Sequence, residues 1–396
     1  MPIYLPRKAF RQLCTQRPAI KTRVPPILFI IDHTTLFSSM KYINTTLSLL
    51  LCCSLAAQTE EAPKVSFSGY VETYYNYDFD QPPSGERPSF LYSFDRHNEF
   101  NVNLALLKAT YQHKNIRGNV GLMAGTYAQA NLAIEPDLLE HIFEANVGFK
   151  ISKKQNVWLD MGVLNSHIGF ESAIGKDCWT LSRSIIAENS PYYETGAKLG
   201  YTTPNEKWYF AALLLNGWQR IKRVNDTKAP DIGTQITYKP TGKITLNWST
   251  YYGNEGSRDI PIRRFFNNFY VQAQLNKKWG LIFGADIGAQ QISQTDNDLK
   301  TWTSRVLIAR YSCTDKIRLA ARLEDYVDPN NIVLNLTNNA FNMRGISFNF
   351  DYLPAENAMF RIEPRLFFSP DLNFVDREGN IKKNNLAVTA AFSLAF

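Results

Sequence analysis

The chain has 396 residues, of which 44% are hydrophobic and 13% aromatic, and its 43 Lys and Arg residues exceed its 36 Asp and Glu residues to give a formal net charge of +7. No run of 18 apolar residues occurs in it, which excludes an ordinary membrane-spanning helix. The mean hydropathy of −0.27 is typical of soluble proteins, but the same value arises when alternate residues of each strand face lipid and water.

The first 57 residues differ in character from the rest. Residues 1–39 are basic, with Asp32 as their one acidic residue, and show no sustained periodicity. Residues 40–57, MKYINTTLSLLLCCSLAA, begin with a positive charge, continue with a short apolar core and end on small residues, as secretory signal peptides do. We therefore predict a mis-assigned, disordered upstream extension at 1–39, a signal peptide at 40–57 and a mature domain at 58–396.

The basic excess belongs mostly to this leading segment. It holds seven of the 43 basic and one of the 36 acidic residues, which leaves 36 basic and 35 acidic residues from residue 58 onward. The near-neutral mature domain gives no reason to expect a nucleic-acid partner. Its two cysteines, Cys178 and Cys313, fall at opposite ends of the strand map below, so we predict no disulfide between them.

From Val65 onward, apolar and polar residues alternate in segment after segment, which is the primary signal of β-strands. Lengths of about 9 to 13 residues suit tilted strands that cross a bilayer. Sixteen such segments lie near 65–79, 99–112, 117–129, 142–152, 156–164, 193–203, 207–217, 231–240, 243–253, 266–276, 279–291, 301–312, 316–326, 341–353, 357–369 and 385–396.

The connections between these segments alternate in length. Every even-numbered connection is a short turn, and every odd-numbered one is a loop of about nine to twenty-eight residues, as in outer-membrane barrels with short periplasmic turns and long extracellular loops. The predicted fold is therefore an all-β, antiparallel transmembrane β-barrel of about 16 strands with both termini periplasmic. A soluble exported β-sandwich that binds glycans is the alternative, which detergent dependence would separate from a barrel.

Three segments fit the alternation poorly, and one of them, VLIARY at 306–311, is apolar on both faces. In the second segment Lys108 falls on the face of Phe100 and Leu106, which predicts a bulge or a membrane boundary there. In the fifteenth, Pro364 cannot donate a ladder hydrogen bond, which predicts a bulge or a position at the rim.

Long stretches of the mature chain resemble a known family. These include SFSGYVETYYNYDF, RHNEFNVNLALLKATY, EPDLLEHIFEANVGFKIS, SHIGFESAIGKDCWTLSRSIIAENSPYYETGAKLGYT and LLNGWQRI. Together they resemble the OmpL-like putative β-barrel porin family of Gram-negative bacteria, over Lys64 to Phe396. The resemblance implies a porin-like channel in the outer membrane that allows passive diffusion of small hydrophilic solutes, without a defined substrate.

The end of the chain, NNLAVTAAFSLAF, also fits this family. Outer-membrane barrels finish on an aromatic residue after alternate apolar residues, and the resemblance implies that the barrel-assembly machinery reads Phe392, Leu394 and Phe396. The expected partners are this machinery, outer-membrane lipid and small hydrophilic solutes, and a homo-oligomer is compatible with the sequence.

Two late segments carry charge on the polar parity, which faces the lumen of a barrel. A net excess of arginine on facing rows favours anions. Two alternatives are that the carboxylates pair with the arginines and stiffen the wall, and that the loop around 172–193 folds inward, so that Lys176 and Arg183 matter more. The six candidate pore-lining residues are Arg318, Arg322, Glu324, Arg361, Glu363 and Arg365.

Signals of catalysis are weak. His97, His141 and His167 fall in long loops without metal-ligand spacing, so we predict no catalytic residue, no metal and no cofactor. The rival functions are an outer-membrane barrel enzyme and a structural or adhesive barrel without a conducting pore. The enzyme would need His167 beside one of three serines, namely Ser166, Ser172 and Ser182.

Overall fold

Sixteen antiparallel strands form a closed barrel, which confirms the predicted fold class. The computed structural model describes residues 62–223, 229–257, 259–293, 298–334, 340–371 and 374–396. The segments predicted as 1–39 and 40–57 lie outside the described residues. The barrel strands are β1 (Lys64–Asp78), β2 (Phe100–His113), β3 (Ile116–Ala124), β4 (Ile142–Lys150), β5 (Asn156–Asn165), β6 (Tyr193–Thr202), β7 (Trp208–Leu215), β8 (Asp231–Thr241), β9 (Ile244–Asn254), β10 (Arg263–Gln274), β11 (Trp279–Gln291), β12 (Leu299–Ser312), β13 (Ile317–Asp328), β14 (Phe341–Ala355) and β15 (Ala358–Phe368). A hairpin of β16 (Phe374–Val375) and β17 (Ile381–Lys382) precedes the last barrel strand, β18 (Asn384–Ala395).

The barrel closes between its first and last strands. Strand β1 pairs with β2 on one side and with β18 on the other, where Tyr70 lies opposite Ala395 and Asp78 opposite Ala387. Each barrel strand therefore has two neighbours. This closure pairs the backbone N–H and C=O groups internally, as a bilayer requires because its core offers no water to bond them.

The outer face of the wall is apolar, because alternate residues of a strand point to opposite faces. In β18, Phe392 and Leu394 are exposed on the outside, whereas Ala387 and Ala391 are buried on the inside. Aromatic pairs also lie on the outer face near both rims, as the aromatic girdles of outer-membrane barrels do. The pairs Trp208–Tyr238 and Tyr252–Phe265 have ring centroids 4.1 and 4.8 Å apart.

Connection length alternates as predicted. The short turns are 114–115, 151–155, 203–207, 242–243, 275–278, 313–316 and 356–357, and the long connections are 79–99, 125–141, 166–192, 216–230, 255–262, 292–298, 329–340 and 369–383. Within them lie two short α-helices, Thr126–Asn131 and Ile185–Glu188, and two 3₁₀ helices, Asp137–His141 and Gly175–Asp177. None of the helices in the described part of the chain is long and apolar enough to cross a membrane.

Of the poorly fitting segments, the second contains the expected bulge. The β1–β2 register shifts between Glu72 and Thr73, where Asn103 is passed over. This bulge changes the phase of β2, so that Lys108 faces inward and forms an ion pair with Glu144. For Pro364 the expectation of a bulge or a rim position is wrong. Pro364 lies in the middle of β15 and pairs with Val388 of β18 in unbroken register, and the β14–β15 ladder passes it over without a register shift.

The long-loop half of the barrel interior is packed rather than empty. Aromatic and aliphatic side chains from five long connections meet inward-facing strand residues in one buried cluster. The Phe90 ring centroid lies 5.1 Å from that of Phe341 and 5.6 Å from that of Phe367. The loop members are Phe90, Leu91, Ile168, Ile185, Trp218, Leu334 and Phe374.

Candidate functional site

The connection 166–192, which we call the inner loop, enters the barrel and binds the inner wall of β13–β15. Its backbone amides donate to wall side chains, from Leu181 N to Asn349 Oδ1 at 2.9 Å and from Ser182 N to Glu363 Oε2 at 2.6 Å. At the start of its short helix, Ile185 N donates to Glu324 Oε2 at 2.8 Å. Two of the six candidate residues, Glu324 and Glu363, therefore act as acceptors for the loop.

Arg322 joins these two carboxylates to the inner loop. Its Nη2 atom lies 2.7 Å from Glu363 Oε1, and its Nε atom lies 3.3 Å from Glu324 Oε1. Its Nη1 atom donates to Ser182 O at 2.6 Å and to Thr180 Oγ1 at 3.0 Å. The guanidinium is fully buried, so its charge is balanced entirely by protein groups.

Arg361 and Arg365 continue this network along β15. Arg361 pairs with Asp351 through Nε at 2.7 Å and Nη2 at 3.1 Å. It also donates to three loop carbonyl groups, at Gly175, Cys178 and Thr180. Arg365 Nη2 lies 2.7 Å from Glu324 Oε1.

Arg318 stands apart from the other five candidate residues. It is half-exposed, lies one residue after the start of β13 near a short turn, and has no ion-pair partner among the described residues. The structure thus brings Arg322, Glu324, Arg361 and Glu363 together with Arg365 under the inner loop, where all five are buried. Whether they line a solute pathway stays a prediction.

The two loop cations have different environments. Arg183 is fully buried and donates to Ser172 O, Ala173 O and Leu181 O at 2.6 to 2.8 Å, which holds the inner loop in its folded shape. Lys176 is exposed near the tip of the loop, where its backbone N–H donates to the Tyr70 hydroxyl at 3.2 Å.

The inner loop also contacts the connection 79–99. Glu188 Oε2 accepts a hydrogen bond from Tyr92 N at 2.9 Å. Burial raises the pKa of Glu188 to about 7, against the effect of this hydrogen bond. A carboxyl group with such a pKa changes charge near neutral pH, at a point where two long connections meet.

His167 is fixed at the start of the inner loop. Its Nδ1 atom lies 2.8 Å from Glu194 Oε2, and its Nε2 atom lies 2.8 Å from Thr250 O. Burial disfavours its charged form, but Glu194 and the Thr250 carbonyl together raise the pKa of His167. Because both ring nitrogens have non-serine partners, the Ser/His set that the enzyme alternative requires is not assembled.

A second group of inward-facing charges lies on the wall of β2–β6. Arg117 Nη2 lies 2.6 Å from Asp160 Oδ2, and its guanidinium stacks on the Trp158 ring at 4.2 Å. Lys108 pairs with Glu144 at 2.5 Å, and Lys198 shares this wall without an ion-pair partner among the described residues. Sequence reasoning missed Arg117 and Lys198, although their place on the polar parity of β3 and β6 was a usable signal, and it noted Lys108 only as a break in the alternation.

The cysteines are free, and no cluster of three or more metal-ligating side chains occurs in the described ranges. Cys178 belongs to a long connection as expected, but its thiol is buried against the inner loop itself, with Ser172 O 3.3 Å from Sγ. Burial raises the pKa of Cys178 to about 11. This thiol is therefore protonated at neutral pH, and the buried site shields it from reagents.

Comparison with known proteins points to one family. The family model described as "Putative beta-barrel porin-2, OmpL-like" matches residues 64–396. No curated protein matches the chain.

Similar solved structures are outer-membrane proteins. The outer membrane channel DcaP of Acinetobacter baumannii has a TM-score of 0.58 at 11% identity, covering 85% of this chain and 98% of that one. OmpT of Vibrio cholerae in its trimer form has a TM-score of 0.55 at 10% identity, covering 85% and 100%. An anion-selective porin from Comamonas acidovorans gives the same four values. At these identities the likeness shows the fold alone.

Proposed function

The chain belongs to the "Putative beta-barrel porin-2, OmpL-like" family and is an outer-membrane porin channel, and we propose that small hydrophilic solutes diffuse passively through its barrel past the inner loop. The observation that carries this proposal is the attachment of the inner loop to the inner wall through buried Arg322 and Arg361. A loop fixed there narrows the lumen instead of lying outside it.

At its long-loop end the wall of β2–β6 is also covered, through the contact of His167 with Glu194 and through Ala173 in a buried apolar cluster. The charged inner face of β2–β6 nearer the short turns lies across from the attachment to β14, because β6 is eight strands from β14 in either direction. On the inward parity of that wall, the cations Lys108, Arg117, Lys150 and Lys198 stand against the carboxylates Glu144, Asp160 and Glu194. This excess, with the half-exposed Arg318, supports a preference for anionic solutes, because arginine and lysine rings favour anions in pores.

The six candidate residues have two roles in this proposal. Arg322, Glu324, Arg361, Glu363 and Arg365 set the width of the pore by holding the inner loop, and Arg318 acts on the passing solute. Burial favours the first role, since Arg322 and Arg361 are covered by the inner loop and bonded to it, which keeps their guanidinium groups from a passing solute.

The orientation and assembly of the barrel complete the proposal. Lys64 and Ala395 both lie on the short-turn side of the barrel, which is the periplasmic side in outer-membrane barrels. The terminal Phe392, Leu394 and Phe396 serve the barrel-assembly machinery, and the chain forms a homo-oligomer. The trimer form of the OmpT neighbour is compatible with that state.

The aromatic cluster favours one second candidate, a barrel that does not conduct. Its side chains fill the long-loop half of the interior from five connections. In this reading the loops close the lumen and the wall has a structural role.

Planar-bilayer recording of the purified protein in KCl distinguishes a conducting porin from a barrel that does not conduct. A variant with 172–187 replaced by a short Gly–Ser linker loses the attached segment but keeps the sixteen strands. A porin gives discrete conductance steps that grow in this variant. Absence of conductance in both proteins, with heat-modifiable migration intact, would exclude the channel.

A further inference from the structure

The outer wall of β11–β15 contains a charged row where a lipid-facing surface is otherwise apolar. Phe283, Leu307 and Leu323 are exposed on this face. Level with them, Arg305 lies directly opposite Asp325, which lies directly opposite Arg344. All three residues are on the outward parity of their strands, so this row faces the surroundings of the barrel rather than its lumen.

The charges of this row do not cancel. Arg305 forms a two-pronged contact with Asp325, from Nε at 3.0 Å and from Nη2 at 2.9 Å, yet 62% of its side chain stays exposed. Arg344 is exposed and has no ion-pair partner in the described part of the chain. Lys383, beside the start of β18, is exposed in the same way.

One more carboxylate lies near the row. Asp371 accepts a hydrogen bond from Asn342 Nδ2 at 2.9 Å, at the edge of the same surface. Three cations therefore stand against two carboxylates, which leaves one net positive charge. Neither Arg344 nor Lys383 has an ion-pair partner among the described residues, so both remain open to an anionic ligand.

Two depressions give this surface a shape. One of about 570 Å³ is lined on the outside by Phe283, Leu307, Leu323 and Arg344 with Arg305. The second, of about 440 Å³, continues from Arg344 over Phe368 to Lys383. An apolar groove that ends at two guanidinium groups matches an amphiphile, with a hydrocarbon chain along the wall and an anionic group at the row.

The height of the row fits the same ligand. Asp325 lies three residues before the end of β13, and Arg344 three residues after the start of β14, both at the long-loop ends of their strands. In the proposed orientation this rim is the outer leaflet, at the depth where lipid headgroups begin. Guanidinium groups bind phosphate oxygens in pairs, which suits the headgroup of a phosphorylated lipid.

We propose that the groove between β11 and β18 binds a phosphorylated lipid of the outer leaflet, with its phosphate against Arg305, Arg344 and Lys383. The site lies on the face opposite to the lumen. It is therefore independent of conduction, and it rests on the proposed function only for the leaflet that it faces.

Native mass spectrometry of the protein in phosphatidylcholine nanodiscs doped with lipid A tests the site. The wild type retains lipid A and does not retain dephosphorylated lipid A. A variant with Arg305→Gln and Arg344→Gln loses retention at least tenfold, since each of the two charge-assisted contacts that it removes is worth roughly that factor. Arg263→Gln is the matched control, because Arg263 is also exposed, outward and at a long-loop strand end, and it retains lipid A like the wild type.

The variant Asp325→Asn tests whether the double variant loses lipid A only because it fails to fold. It removes the competing carboxylate and keeps both arginines, so lipid A retention rises. Unchanged retention in the double variant, or equal retention of dephosphorylated lipid A, overturns the proposal. If a second copy of the chain occupies the groove, the wild type forms an oligomer, and the double variant is a monomer with the same number of bound lipids. This result also overturns the proposal. None of these outcomes depends on conductance.

Discussion

The ring of Phe396 lies directly over Gly69 on the outer face of the barrel seam, where a Cβ on Gly69 would overlap the ring. Gly69 N donates to Phe396 O at 2.7 Å, and Phe396 N donates to Gly69 O at 3.0 Å. The last residue of the chain is thus both a hydrogen-bond partner and a cover for the first strand, and the absence of a side chain at Gly69 makes room for it.

Replacing Gly69 with Val should weaken the seam. The added side chain displaces the Phe396 ring or the backbone, and overpacking of this kind costs about 1–3 kcal/mol. Urea unfolding in detergent, followed by heat-modifiable migration, should show a lower midpoint. Gly242→Ala is the matched control, because no atom lies within 4 Å of a Cβ at Gly242. Equal midpoints for both variants would contradict the proposed fit.

Replacing Phe396 with Asp should impair assembly more than stability. The Phe396 side chain is 66% exposed on the outer face, so its removal affects few protein contacts, whereas the assembly machinery is expected to read it. Surface amounts in cells should fall strongly, while the variant refolded in detergent migrates as the wild type does. Normal surface amounts would argue against the assembly signal.

Replacing Arg361 with Gln should release the inner loop. The change leaves Asp351 buried without its ion pair and three loop carbonyls without a donor, and breaking a buried pair costs about 3–5 kcal/mol. Conductance should become larger or noisier. Arg318→Gln is the control for charge alone: it should leave the unfolding midpoint unchanged and alter only the reversal potential in a KCl gradient. If Arg318→Gln lowered the unfolding midpoint and Arg361→Gln changed only the reversal potential, the assignment of Arg361 to loop attachment and of Arg318 to the lumen would be wrong.

The contact between the inner loop and the connection 79–99 should weaken as pH rises. Burial raises the pKa of Glu188 from 4.5 to about 7, so between these values the folded protein holds a proton that the unfolded chain releases. The stabilising contribution is complete below pH 4.5 and is lost as pH rises through 7. His167, whose pKa is also raised, changes stability in the same direction.

The difference between the wild type and Glu188→Gln isolates the carboxyl group. The unfolding midpoint of the wild type should fall more steeply between pH 5 and pH 8 than that of the variant, which stays uncharged at this position. Parallel curves would show that Glu188 is not protonated in the folded protein.

Cysteine labelling reports the orientation. Impermeant maleimide on intact cells should modify neither cysteine, because Cys178 is buried inside the barrel and Cys313 lies in a short turn. Opening the outer membrane should expose Cys313 alone. Modification of Cys313 in intact cells would show that the short turns face the outside of the cell, contrary to the proposed orientation.

The sequence predicts the strands of the barrel well, but it does not predict the contacts inside the lumen. The alternation of Phe392 and Leu394 with small residues reflects two solvents on two faces, which is a local, period-two pattern. The bulge in β2 could likewise be inferred from Lys108. No local pattern indicates that Ile185 N meets Glu324, because that contact depends on a loop crossing the lumen to a distant wall.

The same limit applies to the arginines. Alternation correctly places Arg322 and Arg361 on the inner face, but it cannot distinguish an inner face in contact with water from one covered by protein. The covering segment is aperiodic, and Phe90 comes from a connection with three prolines. The packed interior therefore depends on tertiary contacts that no local pattern predicts. Only the alternating charges of the wall indicated that the arginines have partners inside the barrel.

The attachment of the inner loop also sets an order of events during assembly of the barrel. Ser182 N needs Glu363 as its acceptor, and the two residues are 181 positions apart in the chain. Until β15 has joined the sheet, the loop lacks this part of its wall, and Arg322 has only one of its two carboxylates. The inner loop therefore becomes anchored late, through the same strands that complete the barrel.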